Sequence, residues 1–215
     1  MKRFLSFILT LCLALSLAVP ALAAAPEDME TALQTAAVRV KETLDIDDDY
    51  TDFSGSWDDG LRPGWYLSWS DDDRDLSVTC DEDGLITEFY RWENTGREDF
   101  YGFQAAFPAV DESSARAQAE DWLSRLAGEG ETARIDGYDV PLTRDGEYSF
   151  RGMILMNGLD SPVTFQLRIG PGGLMSYSRS DGYRPYVGDV PAADAKITEA
   201  EAGDLLAGAA AMELY

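Results

Sequence analysis

Asp45, Asp47 and Asp49 stand at alternate positions. That spacing opens an EF-hand calcium loop, in which carboxylates at odd loop positions converge on one hard cation. The rest of the motif is missing, because Tyr50 holds the place of the turn glycine and Ser56 that of the closing glutamate. Asp71, Asp73 and Asp75 repeat the spacing, with Leu76 where glycine belongs. Both runs therefore read first as solvated acidic loops. Asp45, Asp47 and Asp49 stand as the candidate metal ligands, and calcium as the one candidate cofactor. A second set is aromatic. Trp57, Trp65, Trp69, Tyr66 and Tyr90 could form a platform on which sugars stack. Trp at alternate strand positions reads more readily as core beneath a helix, since each ring buries a large apolar area.

Catalytic chemistry is narrowed by what the chain lacks. It has no histidine, which removes Ser-His-Asp and Cys-His nucleophiles, His-ligated zinc and histidine acid–base catalysis together. Beyond the leader only Lys41 and Lys196 are lysines, and neither has a persuasive serine partner for Ser-Lys catalysis. Paired carboxylates serve glycosidases, but with 40 acidic residues pairs arise by chance. The chain reads as a protein without catalytic residues; a carboxylate-based hydrolase is the least favoured alternative.

The N-terminus has the pattern of an export signal: Lys2 and Arg3, an apolar run from Phe4 to Val19, then Pro20 and Ala21-Leu22-Ala23. The small-x-small ending predicts cleavage after Ala23. The apolar run falls short of the ~20 residues of a membrane span, so no stable span is expected after cleavage. Leu11 before Cys12 is too bulky for lipoprotein processing. The expected location is secreted or extracellular, as for a bacterial-type exported protein. Seventeen basic residues against 40 acidic ones give a net charge of −23. Such a surface repels phosphate backbones and anionic lipid, so nucleic acid is excluded as a partner. Cys80 alone follows the leader, which rules out an intrachain disulfide in the mature chain, and it reads as a small core hydrophobe. Nothing in the composition sets the oligomeric state.

Hydrophobic periodicity supplies the elements that would position these groups. Leu33, Ala36, Ala37, Val40 and Leu44 recur at helical spacing within 27–44. Trp65–Trp69, Leu76–Cys80 and Leu85–Arg91 alternate as strands, with a hairpin turn at Asp83-Gly84. Asp111 predicts the cap of a second helix through Ala115, Ala119, Trp122, Leu123 and Leu126. Tyr138 to Leu142 reads as an extended piece. Tyr148–Met156 is a strand, Asn157-Gly158 a strong hairpin signal, and a strand pair flanks Gly170–Gly173. Thr198 and Glu201 form a capping box for a last helix with the stripe Ala202, Leu205, Leu206, Ala209 and Ala210. A shift of roughly 89 residues lays Leu76 on Phe165, Val78 on Leu167 and Gly84 on Gly173, which reads as internal repetition.

These runs resemble the YcdB/YcdC repeated domain of exported proteins, a relative of PepSY and thermolysin-propeptide-like modules. The resemblance rests on Ile197-Thr-Glu-Ala-Glu-Ala, Tyr148-Ser-Phe-Arg-Gly-Met, Asn157-Gly158-Leu159, Val163-Thr-Phe-Gln-Leu and the following Gly turn. It implies an α+β fold of tandem units, each a helix packed across an antiparallel β-sheet (PepSY- or cystatin-like), and a C-terminal helix starting a third unit. The expected division is a signal peptide at 1–23, a first unit at 24–106, a second at 107–190, and a linker with the first helix of an incomplete third unit at 191–215. The implied function is an exported module that binds or restrains a peptide or an exported peptidase at the cell surface. A structural spacer in a surface assembly is the alternative. The resemblance carries no catalytic residue.

Overall fold

The structure, a computed structural model, describes residues 28–60, 63–94, 107–141 and 146–180. The expected leader, the linker and the final helix lie outside the described residues. Helix α1 spans Met29–Leu44. The Asp28 carboxylate caps it by accepting the Thr31 N–H at 3.1 Å, which satisfies one of the amides a helix start leaves open. Asp45 ends it in the left-handed region at φ 52°, its N–H donating to the Lys41 carbonyl. Strands β1 (Asp52–Asp58), β2 (Gly64–Ser70), β3 (Arg74–Asp81) and β4 (Ile86–Glu93) follow. Helix α2, Glu112–Leu126, is capped by Asp111, which accepts the Ser114 N–H at 2.9 Å. The chain then runs through β5 (Glu131–Asp139), β6 (Tyr148–Met156), β7 (Leu159–Gly170) and β8 (Gly173–Arg179).

The expected tandem arrangement, with a separate sheet beneath each helix, is corrected by the strand order. All eight strands form one antiparallel sheet in the order β1-β2-β3-β4-β8-β7-β6-β5, with two helices among the described residues. The joint is β4 against β8, where Glu88 faces Ser178, Phe89 faces Tyr177 and Tyr90 faces Ser176. Separate sheets would leave β4 and β8 as two further edges of unpaired backbone, and pairing them satisfies both. The fold is thus richer in strand than helix-across-sheet units would be.

Register fixes the faces. Leu67, Val78, Phe89, Tyr177, Leu167 and Phe150 occupy one continuous row from β2 to β6, and every one is buried. Adjacent strands place directly opposed residues on the same side, so this row defines one apolar face. Ala36, Val40 and Leu44 of α1 and Ala115, Ala119, Leu123 and Leu126 of α2 are buried in the same core. In the first half Val40 of α1 and Val78 of β3 are both buried. In the second half Leu123 and Leu126 are the large buried helix residues, beside Ala115 and Ala119, while Trp122 is only half-buried. Arg125 joins the helices, donating to the Thr43 carbonyl and pairing with Asp45 at 2.7 Å.

Turn chemistry follows the sequence. Asn157 and Gly158, both at positive φ (49° and 80°), link β6 to β7 as a two-residue type I′ turn. Gly152 has a different role. A Cβ there would stand 1.9 Å from the Arg134 carbonyl oxygen and 2.8 Å from the Phe165 ring, so β5 and β6 close up over a residue without a side chain.

Candidate functional site

The face of the sheet turned away from the helices holds the groups with chemistry to offer. One row across it reads Ser68, Ser77, Tyr90, Ser176, Arg168 and Ser149. The next reads Tyr66, Thr79, Glu88, Ser178, Gln166 and Arg151. Both rows follow from the period of two in a strand: each neighbours a buried residue such as Leu67 or Phe89. The middle of this face forms a groove of about 420 Å³, lined by Tyr66, Thr79, Glu88, Tyr90, Gln166 and Arg168 with the serines between them. A recess of about 320 Å³ adjoins it and shares Tyr90, Arg168 and Ser176. Trp92, Arg91 and Glu147 line that recess. The Glu147 carboxylate is buried and lies 3.7 Å from Arg168 Nη1. Gln166 Nε2 donates to Ser149 Oγ at 2.9 Å, which orients the amide on the face.

The sequence-derived aromatic set divides between the faces. Trp65 and Trp69 are buried beneath α1, and Trp57 packs edge-on against Trp65 with centroids 5.1 Å apart. Tyr66 and Tyr90 turn outward, with 48% and 54% of their surface exposed. Trp92, two residues beyond Tyr90, is exposed as well and was not singled out from the sequence. Alternation along Phe89–Trp92 was the available signal.

The calcium candidates do not converge. Asp45 is the helix cap bound to Arg125. Asp47 and Asp49 lie exposed in the loop that follows, where the neighbouring Asp48 pairs with Lys41. Among the described residues no three carboxylate, thiolate or imidazole side chains gather closely enough to hold a metal ion. Cys80 is buried, and burial pushes its thiol up to about 12, far from a reactive thiolate. Lys196 lies outside the described residues.

The two outer edges of the sheet differ. β5 is broken by a bulge between Ile135 and Gly137. Its exposed face carries Arg134, which pairs with Asp136 at 2.9 Å and with Asp160 at 2.6 Å. Bulges and charge are the usual guards of an edge. β1 has neither bulge nor proline. Its seven residues pair with β2 in unbroken register, Asp52 opposite Ser70 through Asp58 opposite Gly64. Its middle is Ser54-Gly55-Ser56, and among the described residues no strand covers its outer side. Among the described residues the backbone there is open to an added strand, between an aspartate at each end.

One charged pair is sealed in the second half of the core. Arg179 Nη1 and Nη2 donate to Glu131 Oε2 and Oε1 at 2.8 and 3.0 Å, and the side chains are 0% and 3% exposed. Glu131 Oε2 also accepts the Gly128 N–H at 2.8 Å. The pair clamps the end of β8 to the start of β5.

No family model matches the chain, and no curated protein matches it significantly. Among solved structures it is similar to the Bacillus megaterium YpeB C-terminal domain, with a TM-score of 0.51 and 12% identity over 80% of this chain and 72% of that one. At that identity the likeness is one of fold. The YcdB/YcdC membership expected from the residues is not confirmed. No described helix is long and apolar enough to cross a membrane.

Proposed function

We propose that this chain is an exported, non-enzymatic PepSY-like module that binds an extended peptide, or an exposed segment of an exported peptidase, along β1. The observation that carries the reading is the contrast between the edges: β5 is bulged and charged, whereas β1 is regular and uncovered among the described residues. An extended segment added to such an edge gains a ladder of main-chain hydrogen bonds and needs few side-chain pockets. Asp52 and Asp58 select its flanks. Two β1 strands laid antiparallel would bring like charges together, which disfavours self-pairing, whereas a segment with Lys or Arg at its ends is attracted. The PepSY-like fold supports a module without catalytic residues. The spacer reading calls for outer edges covered by neighbours, and β1 has no such cover among the described residues.

The test is an array of overlapping twelve-residue peptides drawn from the exported peptidases of the source cell, followed by hydrogen exchange on each complex. Binders should slow exchange at 52–58 and carry basic flanks. Binding that leaves those amides unprotected, or an array with no binder, refutes the reading.

A further inference from the structure

We propose that the face of the sheet turned away from the helices is a binding site for a neutral oligosaccharide chain, held against the rings of Tyr66 and Tyr90. The proposal concerns a different surface from the β1 edge and does not depend on it.

The first argument is the cost of the exposed rings. An aromatic ring left in water forgoes the stabilisation of burial, so large exposed rings grouped on one face call for an explanation. Tyr66, Tyr90 and Trp92 are about half exposed, and register puts them on a single face. Tyr66 sits opposite Thr79, while Tyr90 sits opposite Ser77 on the far side of the same strand. The two tyrosines are therefore diagonal neighbours across β3, two strands and two residues apart. At ~4.8 Å per strand and ~3.4 Å per residue their spacing is roughly 12 Å. One sugar ring cannot cover both, and a short chain can.

The second argument is charge. The protein carries a net charge of −23, yet the ionisable side chains of the groove are essentially Glu88 and Arg168, one of each sign. The remaining lining is Ser, Thr, Gln and Tyr, with Phe89. A solvated face with no ligand has no reason to escape the acidity of the rest of the surface. Balanced charge with many hydroxyls and one amide suits an uncharged ligand that both donates and accepts hydrogen bonds, with the rings packing on its C–H faces.

The third argument separates a glycan from a peptide. A peptide laid on the middle of a sheet finds every backbone group beneath it already in the ladder, and its own amides go unpaired. A sugar chain has no such ladder to complete. Its hydroxyls bond to side chains, which this face supplies.

The experiment is titration of the isotope-labelled protein with cellohexaose, with the N-acetylglucosamine hexamer and, as the charged control, with oligogalacturonate, read by amide chemical shifts and calorimetry. A neutral hexamer is expected to bind saturably and to shift Tyr66, Thr79, Tyr90 and Gln166. Tyr66→Ala and Tyr90→Ala should each weaken binding about tenfold or more, and Tyr90→Phe should retain most of it. Both tyrosines are exposed, so melting temperatures near wild type are expected for the variants. If a variant unfolds, the wild-type shift map still decides. No binding by either neutral hexamer at millimolar concentration, preference for the charged oligomer, shifts confined to β1, or full affinity in a folded Tyr66→Ala/Tyr90→Ala protein would each overturn the proposal.

Discussion

Replacing Arg179 with methionine tests the energetics of the sealed pair. Methionine keeps much of the side-chain length and removes the charge, which leaves the Glu131 carboxylate buried at 3% exposure without its bidentate partner. Removing one partner of a buried ion pair costs about 3–5 kcal/mol, because the remaining charge stays desolvated. Domains are stable by only about 5–15 kcal/mol, so this single change should move the urea midpoint far or unfold the protein. Glu131→Gln should also be costly. It keeps an acceptor for the Gly128 N–H, which now bonds to Glu131 Oε2 at 2.8 Å, but leaves the buried guanidinium without a counter-charge. Glu131→Leu with Arg179→Met should recover much of the loss, since an apolar pair of similar volume is often neutral in such a place. The assay is urea unfolding followed by tryptophan fluorescence, with Glu131→Leu, Arg179→Met and the double closed into a cycle. The gap between the double and the sum of the singles should be roughly 2 kcal/mol or more, given charge-assisted bonds out of water. If Arg179→Met costs less than about 1 kcal/mol, the pair is not sealed as described and the reasoning fails.

Val78→Asp should cost roughly 3 kcal/mol or more by placing a charge in the core, whereas Ser77→Asp on the opposite face should stay within about 0.5 kcal/mol. Equal melting of the two would reverse the face assignment. Cys80 should resist iodoacetamide at pH 8 in the folded protein and react once guanidinium unfolds it, because burial holds its thiol up at about 12; labelling followed by peptide mass spectrometry reads this directly. Asp111 accepts bonds from the Ser113 hydroxyl, the Ser114 N–H and the Ser114 hydroxyl, which hold its carboxyl down at about 2, below the ordinary 3.8. Its cap is therefore fully formed above about pH 4 and is lost as pH falls through 2, so the stability difference between wild type and Asp111→Ala should be constant at neutral pH and close in that acid window. Screens with peptide, ester and glycoside substrates should find no turnover; activity that vanishes on changing one carboxylate would refute the non-enzymatic reading.

What was legible in the sequence follows how local its cause is. The Asp111 cap and the Asn157-Gly158 turn act within a few residues, and both stand where their residue types predict. The alternation in Trp65–Trp69 and Leu76–Cys80 likewise placed the right side chains on the buried face. The edges were harder. β1 is Asp-Phe-Ser-Gly-Ser-Trp-Asp, whose Ser, Gly and Asp read as turn residues, and pairing with β2 makes it a strand. β5 alternates half-buried Ala133 and Ile135 with exposed Thr132, Arg134 and Asp136, but two apolar residues, one of them small, make a faint pattern, so only its last residues stood out as extended. The β4–β8 joint has no local signature at all. It pairs Glu88–Tyr90 with Ser176–Ser178, far apart in sequence, and it alone turns two presumed sheets into one.

The same joint explains why the candidate groove could not be read beforehand. Tyr66, Thr79, Glu88 and Tyr90 come from β2, β3 and β4, while Ser176, Ser178, Gln166 and Arg168 come from β8 and β7. With two separate sheets these would be two unrelated polar faces, each ending at an edge. Pairing β4 with β8 sets Glu88 beside Ser178 and Tyr90 beside Ser176, and so brings Arg168 into the row of Tyr90. The positive charge that balances Glu88 therefore arrives from the other half of the chain. A change that weakens the joint should harm the groove even where it touches none of its side chains. The buried side of that joint is Phe89 against Tyr177, one on each strand. Closure of the sheet and completion of the polar face thus rest on the same three residue pairs, with apolar packing on one side and the two tyrosine-bearing rows on the other.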